Sequence, residues 1–194
     1  MAQQVNTNET DLSRDELIAL RNKRTGMTVF QISWIMVFVC LFVVNLSIRG
    51  NFLTWPPEGV ERLSPVVPVV VSILLLVSGW TAYRSLKAIN AGDTAHFFSQ
   101  WRLTMGLGVL FLIGMGIHWF GVTDSGQYGT ISRSMIGYHA LHALAIMAYM
   151  WHVDGRVRAG VVNARDSWSV EAGFKLWVFV IVAWIIFFAA LYVL

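Results

Sequence analysis

Five long apolar stretches separated by short polar segments organise this chain, at about 27–48, 66–83, 103–120, 134–153 and 176–194. Each runs for about 18 to 22 residues, enough at about 1.5 Å rise per residue to cross a hydrocarbon core of about 30 Å. A surface helix of a soluble protein keeps a polar face, whereas these segments are apolar all round. The pattern predicts an all-α integral membrane protein, with five transmembrane helices in a bundle over residues 27–194. Residues 1–26 read as a polar tail on the cytoplasmic side. Within it Ser13-Arg-Asp-Glu16 has the form of a capping box, which predicts a short amphipathic helix reaching about Asn22.

Charge then orients the bundle. The net charge of +3 could point to an acidic partner such as nucleic acid, but the basic residues sort by loop instead. Eleven of the 14 fall on one side: Arg14, Arg21, Lys23 and Arg24 in the tail, Arg84, Lys87 and Arg102 after helix 2, and Arg156, Arg158, Arg165 and Lys175 after helix 4. Arg49, Arg62 and Arg133 make three on the other. The asymmetry places the N-terminus in the cytoplasm and the C-terminus on the periplasmic or outer side. At 56% hydrophobic, the 194 residues leave little for a second, soluble domain. The first 26 residues have no apolar core followed by small residues, so no cleavable signal peptide is read.

Candidate chemistry is sparse. The one cysteine, Cys40, has no disulfide partner, and there is no C-x-x-C-H for covalent haem, no Gly-rich phosphate loop, no paired-carboxylate site and no nucleophile elbow. Helix 3 carries Gly106, Gly108, Gly114, Gly116 and Gly121, small residues that let membrane helices approach closely. His118 stands near its end. Helix 4 carries His139 and His142, three apart and so on one face. Helix 3 exits where helix 4 enters, which predicts that the three imidazoles converge at one level. The plain reading is that each donates to a carbonyl or hydroxyl inside the bundle. The functional alternative is a b-type haem membrane anchor, with His118 and either His139 or His142 as axial ligands. His96 reads as lying in the loop before helix 3. In the last segment Glu171 and Lys175 form a favourable i,i+4 pair, while Trp177 and Trp184, seven apart, read as a stripe facing lipid or another subunit.

Several short motifs then coincide in order: Trp55-Pro-Pro57 before helix 2, Gly92-Asp93 after it, Asp124-Ser-Gly-Gln-Tyr-Gly-Thr130 ahead of helix 4, Ile136-Gly-Tyr-His-Ala-Leu-His142 within it, and Val170-Glu-Ala-Gly173 with Trp177 and Trp184 in the last helix. Together they resemble the heme-copper oxidase subunit III family in its five-helix bacterial form. The resemblance implies a subunit with no active site and no redox cofactor of its own, in a bacterial cytoplasmic membrane. It would flank subunit I, which carries the haem and copper, alongside other oxidase subunits. It would bind phospholipid and support proton uptake and complex stability. No metal site is implied, and His139, His142, Glu171, Trp177 and His118 become lipid-contacting or structural polar positions.

Two departures stand out. The family's Gly-Gln-Ala-x-Glu-Trp is Gly114-Met-Gly-Ile-His-Trp119 here, so His118 takes the place of an intramembrane glutamate. The family's Trp-His-Phe-Val-Asp is Trp177-Val-Phe-Val-Ile181, so a buried His and Asp have become Val178 and Ile181. Loss of both members together is physically coherent, because an orphaned buried charge costs more than a paired deletion. These changes leave open a subunit III-like protein recruited to a different respiratory or photosynthetic complex.

Overall fold

The computed structural model describes residues 13–162 and 166–194. Arg165 and residues 1–12 of the tail lie outside them. Among the described residues the chain forms five α-helices: α1 (Arg14–Arg49), α2 (Val66–Asn90), α3 (Thr94–Gly121), α4 (Gly126–Arg158) and α5 (Trp168–Phe188). A π-helical turn, Ala189–Val193, continues α5. Four of these elements, α1, α2, α3 and α5 with its π turn, are long and apolar enough to cross a membrane. At 33 residues α4 has the length, but its apolar stretch carries His139, His142 and His152. Fifteen of its residues are buried, against two of the 36 in α1, so much of the polarity of α4 is turned toward protein.

Every helix outruns its apolar stretch. The Ser13 capping box forms as expected, with Glu16 returning a bond to the Ser13 backbone N–H at 2.8 Å. The helix it starts does not end near Asn22, because nothing between there and Met27 breaks it; a lone Gly26 costs only about 1 kcal/mol in a helix interior. The turn between α2 and α3 is only three residues, closed by Gly92 at φ 76° and by Asp93. The Asp93 carboxylate caps α3 by accepting from the His96 N–H at 2.9 Å. His96 therefore sits in the first turn of α3 rather than in a loop. Most of the segment 124–130 is likewise helical, since α4 begins at Gly126.

Helices α2 to α5 form an up-and-down ring in which each packs on the next and α5 closes against α2. Indole N–H groups staple it antiparallel. Trp101 donates to the Met150 carbonyl and Trp119 to that of Arg133, each at 3.1 Å, linking α3 to α4 at both ends. Trp177 and Trp184 donate to Ser78 Oγ at 2.9 Å and Ser72 Oγ at 2.7 Å, linking α5 to α2. The two tryptophans are thus buried in the bundle, not a lipid- or subunit-facing stripe. An indole N–H needs an acceptor when buried, and the serines supply one while donating their own protons to the carbonyls of Leu75 and Pro68. The glycines of α3 divide by face. A Cβ on Gly108 would run into Met147 and Trp177, and one on Gly114 into Val71, whereas Gly106, Gly116 and Gly121 have nothing within 4 Å.

Helix α1 packs outside this ring, against α4 and α5. Its sheltered positions recur at alternating steps of three and four. Leu17, Arg24, Gln31, Phe38 and Asn45 fall at sevens, with Leu20, Met27, Trp34, Leu41 and Ile48 between them. That 3.5-residue period is the seam of a left-handed helix pair. The remainder of α1 is exposed, Val29, Val39 and Val43 among it. At the far end of α1, the Trp55 ring meets Tyr128 at a centroid distance of 5.1 Å, and the Leu63 N–H donates to the Tyr128 hydroxyl at 3.1 Å. These contacts hold the α1–α2 connection onto the first turn of α4.

Candidate functional site

Helical spacing puts His139 and His142 on the inner face of α4, at the junction with α1 and α5. His139 is fully buried and His142 is 1% exposed. Aromatic rings from three other helices enclose His139: Phe38, Phe111, Trp184 and Phe187, with ring centroids 5.3–6.3 Å away. His142 lies against Trp34 at 4.5 Å and against Phe38 and Phe179, both at 5.2 Å. Phe38, on the α1 seam, touches both imidazoles and so keys α1 into the bundle.

His118 does not join them. Phe111 meets His139, and His118 stands seven residues further along α3, about 10 Å away at 1.5 Å per residue. Its Nε2 instead bonds the Tyr192 hydroxyl, which the π-helical turn carries toward α3. The Arg49 guanidinium donates to the Leu194 carbonyl beside that turn. Of the three histidines expected at one level, the structure brings two together and gives the third to the C-terminal turn.

The haem alternative can be tested on this packing. An axial imidazole must present a nitrogen to a slot as wide as the macrocycle. His139 is enclosed by aromatic rings from three other helices, and His118 is turned to Tyr192. These residues do not fit a haem held between α3 and α4. Among the described residues no group of three His, Cys, Asp or Glu is placed to hold a metal ion.

At the opposite end of the bundle Glu171 accepts from Lys175 at 2.6 Å and from Arg24 of α1 at 3.3 Å. Both cations also lie 5.9 Å from the Trp168 ring. The pair expected within α5 is therefore a bridge that fastens the extension of α1. With its partners partly exposed, Glu171→Gln should weaken that attachment by about 1 kcal/mol and leave the bundle folded. Hydrogen-exchange mass spectrometry should show faster amide exchange across 14–26 only; unchanged exchange would mean that the bridge contributes nothing.

Nearby Asp154, 4% exposed, pairs with Arg158 one turn on and with Arg102 of α3 at 3.8 Å. Arg156 donates to Ser169 Oγ at 3.0 Å, and the Tyr149 hydroxyl to the Ser169 carbonyl at 3.1 Å. Sequence reasoning passed over Asp154, which falls just beyond the fourth apolar stretch. It also passed over Asn45, 1% exposed on the α1 seam. A signal for Asn45 exists in the sequence: with Gln31 it is one of two amides inside the first apolar stretch.

Long apolar helices, a core tied by indole–serine bonds and buried imidazoles wrapped in aromatic rings define an all-helical, multi-pass membrane protein. The sequence profile of one family, described as cytochrome c oxidase subunit III, matches residues 4–194. The chain belongs to the cytochrome c oxidase subunit III family, and through it to the respiratory chain. It is 29% identical over 177 residues to "Cytochrome c oxidase subunit 3" of Synechocystis sp., covering 87% of this chain and 74% of that one. It is 30% identical over 177 residues to the protein of that name from Thermostichus vulcanus, covering 87% and 86%. With that of Corynebacterium diphtheriae the identity is 27% over 195 residues, covering 94% and 95%.

Proposed function

We propose that this chain is the non-catalytic subunit III of a heme-copper terminal oxidase, flanking subunit I in a bacterial cytoplasmic membrane. The family match along nearly the whole chain carries the reading. The haem and copper then belong to subunit I. In this reading α4 is the fifth span, and residues 27–194 form one membrane domain behind the tail of residues 1–26. The basic end, with Arg24, Lys87, Arg102, Arg158 and Lys175, faces the cytoplasm, and the C-terminal turn faces the outer side.

Its role is structural and supportive: stability of the complex, bound phospholipid and sustained proton uptake by the partner. Support for phospholipid comes from a groove of about 440 Å³ at the basic end, lined by Trp151, His152, Arg156 and Arg158. Cations beside an indole suit the boundary between headgroup and acyl chain. His139, His142, Glu171 and Trp177 hold the helices that shape these surfaces, and His118 anchors the C-terminal turn.

The test is gentle detergent purification through a tag on this chain. A haem-bearing subunit I should co-purify, the preparation should consume oxygen, and the separated chain should be colourless. A Soret band on the separated chain, or a complex lacking a heme-copper subunit, overturns the assignment.

A further inference from the structure

Polar side chains buried in a bundle are ordinarily hydrogen-bonded, to protein or to ordered water. Around the α1–α4–α5 junction six side-chain atoms are not: Nδ2 and Oδ1 of Asn45, Oγ of Ser132, both ring nitrogens of His139, and Nδ1 of His142. All four residues are no more than 1% exposed. Their register places two of them, Asn45 and Ser132, at one level. Phe38 and His139 are in ring contact at 6.0 Å. Asn45 lies seven residues beyond Phe38 on α1 and Ser132 seven residues before His139 on α4, each on the same face as its reference residue. Because α1 and α4 run antiparallel, both steps move about 10 Å the same way along the bundle. Asn45 and Ser132 therefore share a level two turns from His139.

Direct pairing cannot serve them all. An amide brings two donors and an acceptor, a hydroxyl one donor and acceptor sites, and a neutral imidazole one of each. The rings around His139 offer no oxygen or nitrogen acceptor, and the one polar group among them, the Trp184 indole N–H, already donates to Ser72. A route from outside reaches this level. A groove of about 550 Å³ runs between α1 and α4, with an apolar wall of Leu41, Val44 and Ile48 and a polar one that includes Gln127, Thr130 and Ser134. Leu41 and Ile48 stand one turn to either side of Asn45, and Ile131 of the groove adjoins Ser132.

We propose that Asn45 and Ser132 bind ordered water inside the membrane domain, supplied through the α1–α4 groove. A buried water usually makes about three hydrogen bonds, which matches a site where several donors and acceptors converge without partners.

A cryo-electron-microscopy reconstruction of the intact complex, at a resolution that shows ordered water, tests the site directly. Density is expected within hydrogen-bonding distance of the Asn45 amide and of the Ser132 hydroxyl. Asn45→Leu should remove the first; if that variant fails to assemble, Ser132→Ala should weaken it. A dry junction, in a map that resolves water elsewhere in the protein interior, overturns the proposal. The route has its own test in single-cysteine variants of the complex on a Cys40→Ala background. Ser134→Cys should react with a hydrophilic methanethiosulfonate at least tenfold faster than Val43→Cys, which is 55% exposed on the outer face of α1. Equal rates would mean that lipid fills the groove, and would overturn the supply route.

Discussion

Gly108→Leu is expected to destabilise the subunit by about 3 kcal/mol, while Gly106→Leu, two residues away, should cost little. Gly108 is where α3 meets α4 and α5 at once. A Cβ there would overlap the terminal methyl of Met147 and come within 3.0 Å of Trp177 Cη2 and 3.1 Å of Cζ2. The methionine can yield, because its side chain is long and unbranched. The indole cannot, because it is fully buried and its N–H is held by Ser78. An added methyl should therefore be partly absorbed, whereas a leucine must drive α3 away from α5. Packing and interhelical hydrogen bonds provide most of the association between membrane helices, so no compensating gain is available. Gly106 has nothing within 4 Å of the corresponding position. The check is the amount of each variant recovered in the assembled complex, with its thermal midpoint. Equal behaviour of the two leucine variants would show that this contact does not hold the bundle.

Trp177→Ala should come next, at about 3 kcal/mol or more, with Trp177→Phe intermediate at about 1 to 2 kcal/mol. The alanine leaves a cavity among three helices that lipid chains cannot enter. The phenylalanine fills most of that space but removes the donor to Ser78. Ser78 still has a partner in the Leu75 carbonyl at 2.6 Å, so the serine keeps one bond and the penalty stays moderate. Ser78→Ala strands the Trp177 N–H and should cost a similar amount to Trp177→Phe, and the double variant should cost less than the sum. Thermal unfolding of the complex, followed by the release of this subunit, measures the cycle. Strict additivity would mean that the indole and the serine are not coupled.

Much of the fold was legible along the chain. The five apolar stretches predicted the five helices, and the Ser13 capping box and the Gly92-Asp93 turn mark ends that the structure places there. Helix length was not legible from hydropathy, since each helix runs past at least one end of its apolar stretch, and α5 does so only at its start. The site was half legible. The three-residue spacing of His139 and His142 put them on one face, and there they are. The expected convergence of His118 failed, because two segments that share an end of the bundle still differ in depth by whole turns. The stripe of Trp177 and Trp184 was visible as a period, but a period does not say which way it faces.

What the sequence alone determined is the class of protein: long segments without a polar face have nowhere to go but a membrane. The period-3.5 seam of α1, the inward turn of the two tryptophans, the tie between His118 and Tyr192, and the unpartnered polar atoms at Asn45, Ser132 and His139 were decided only in the tertiary structure. In each case the deciding quantity is which side chain from another helix stands opposite. Hydropathy separates lipid from water, but it does not distinguish lipid from a neighbouring helix; a serine or a glycine on the facing helix does.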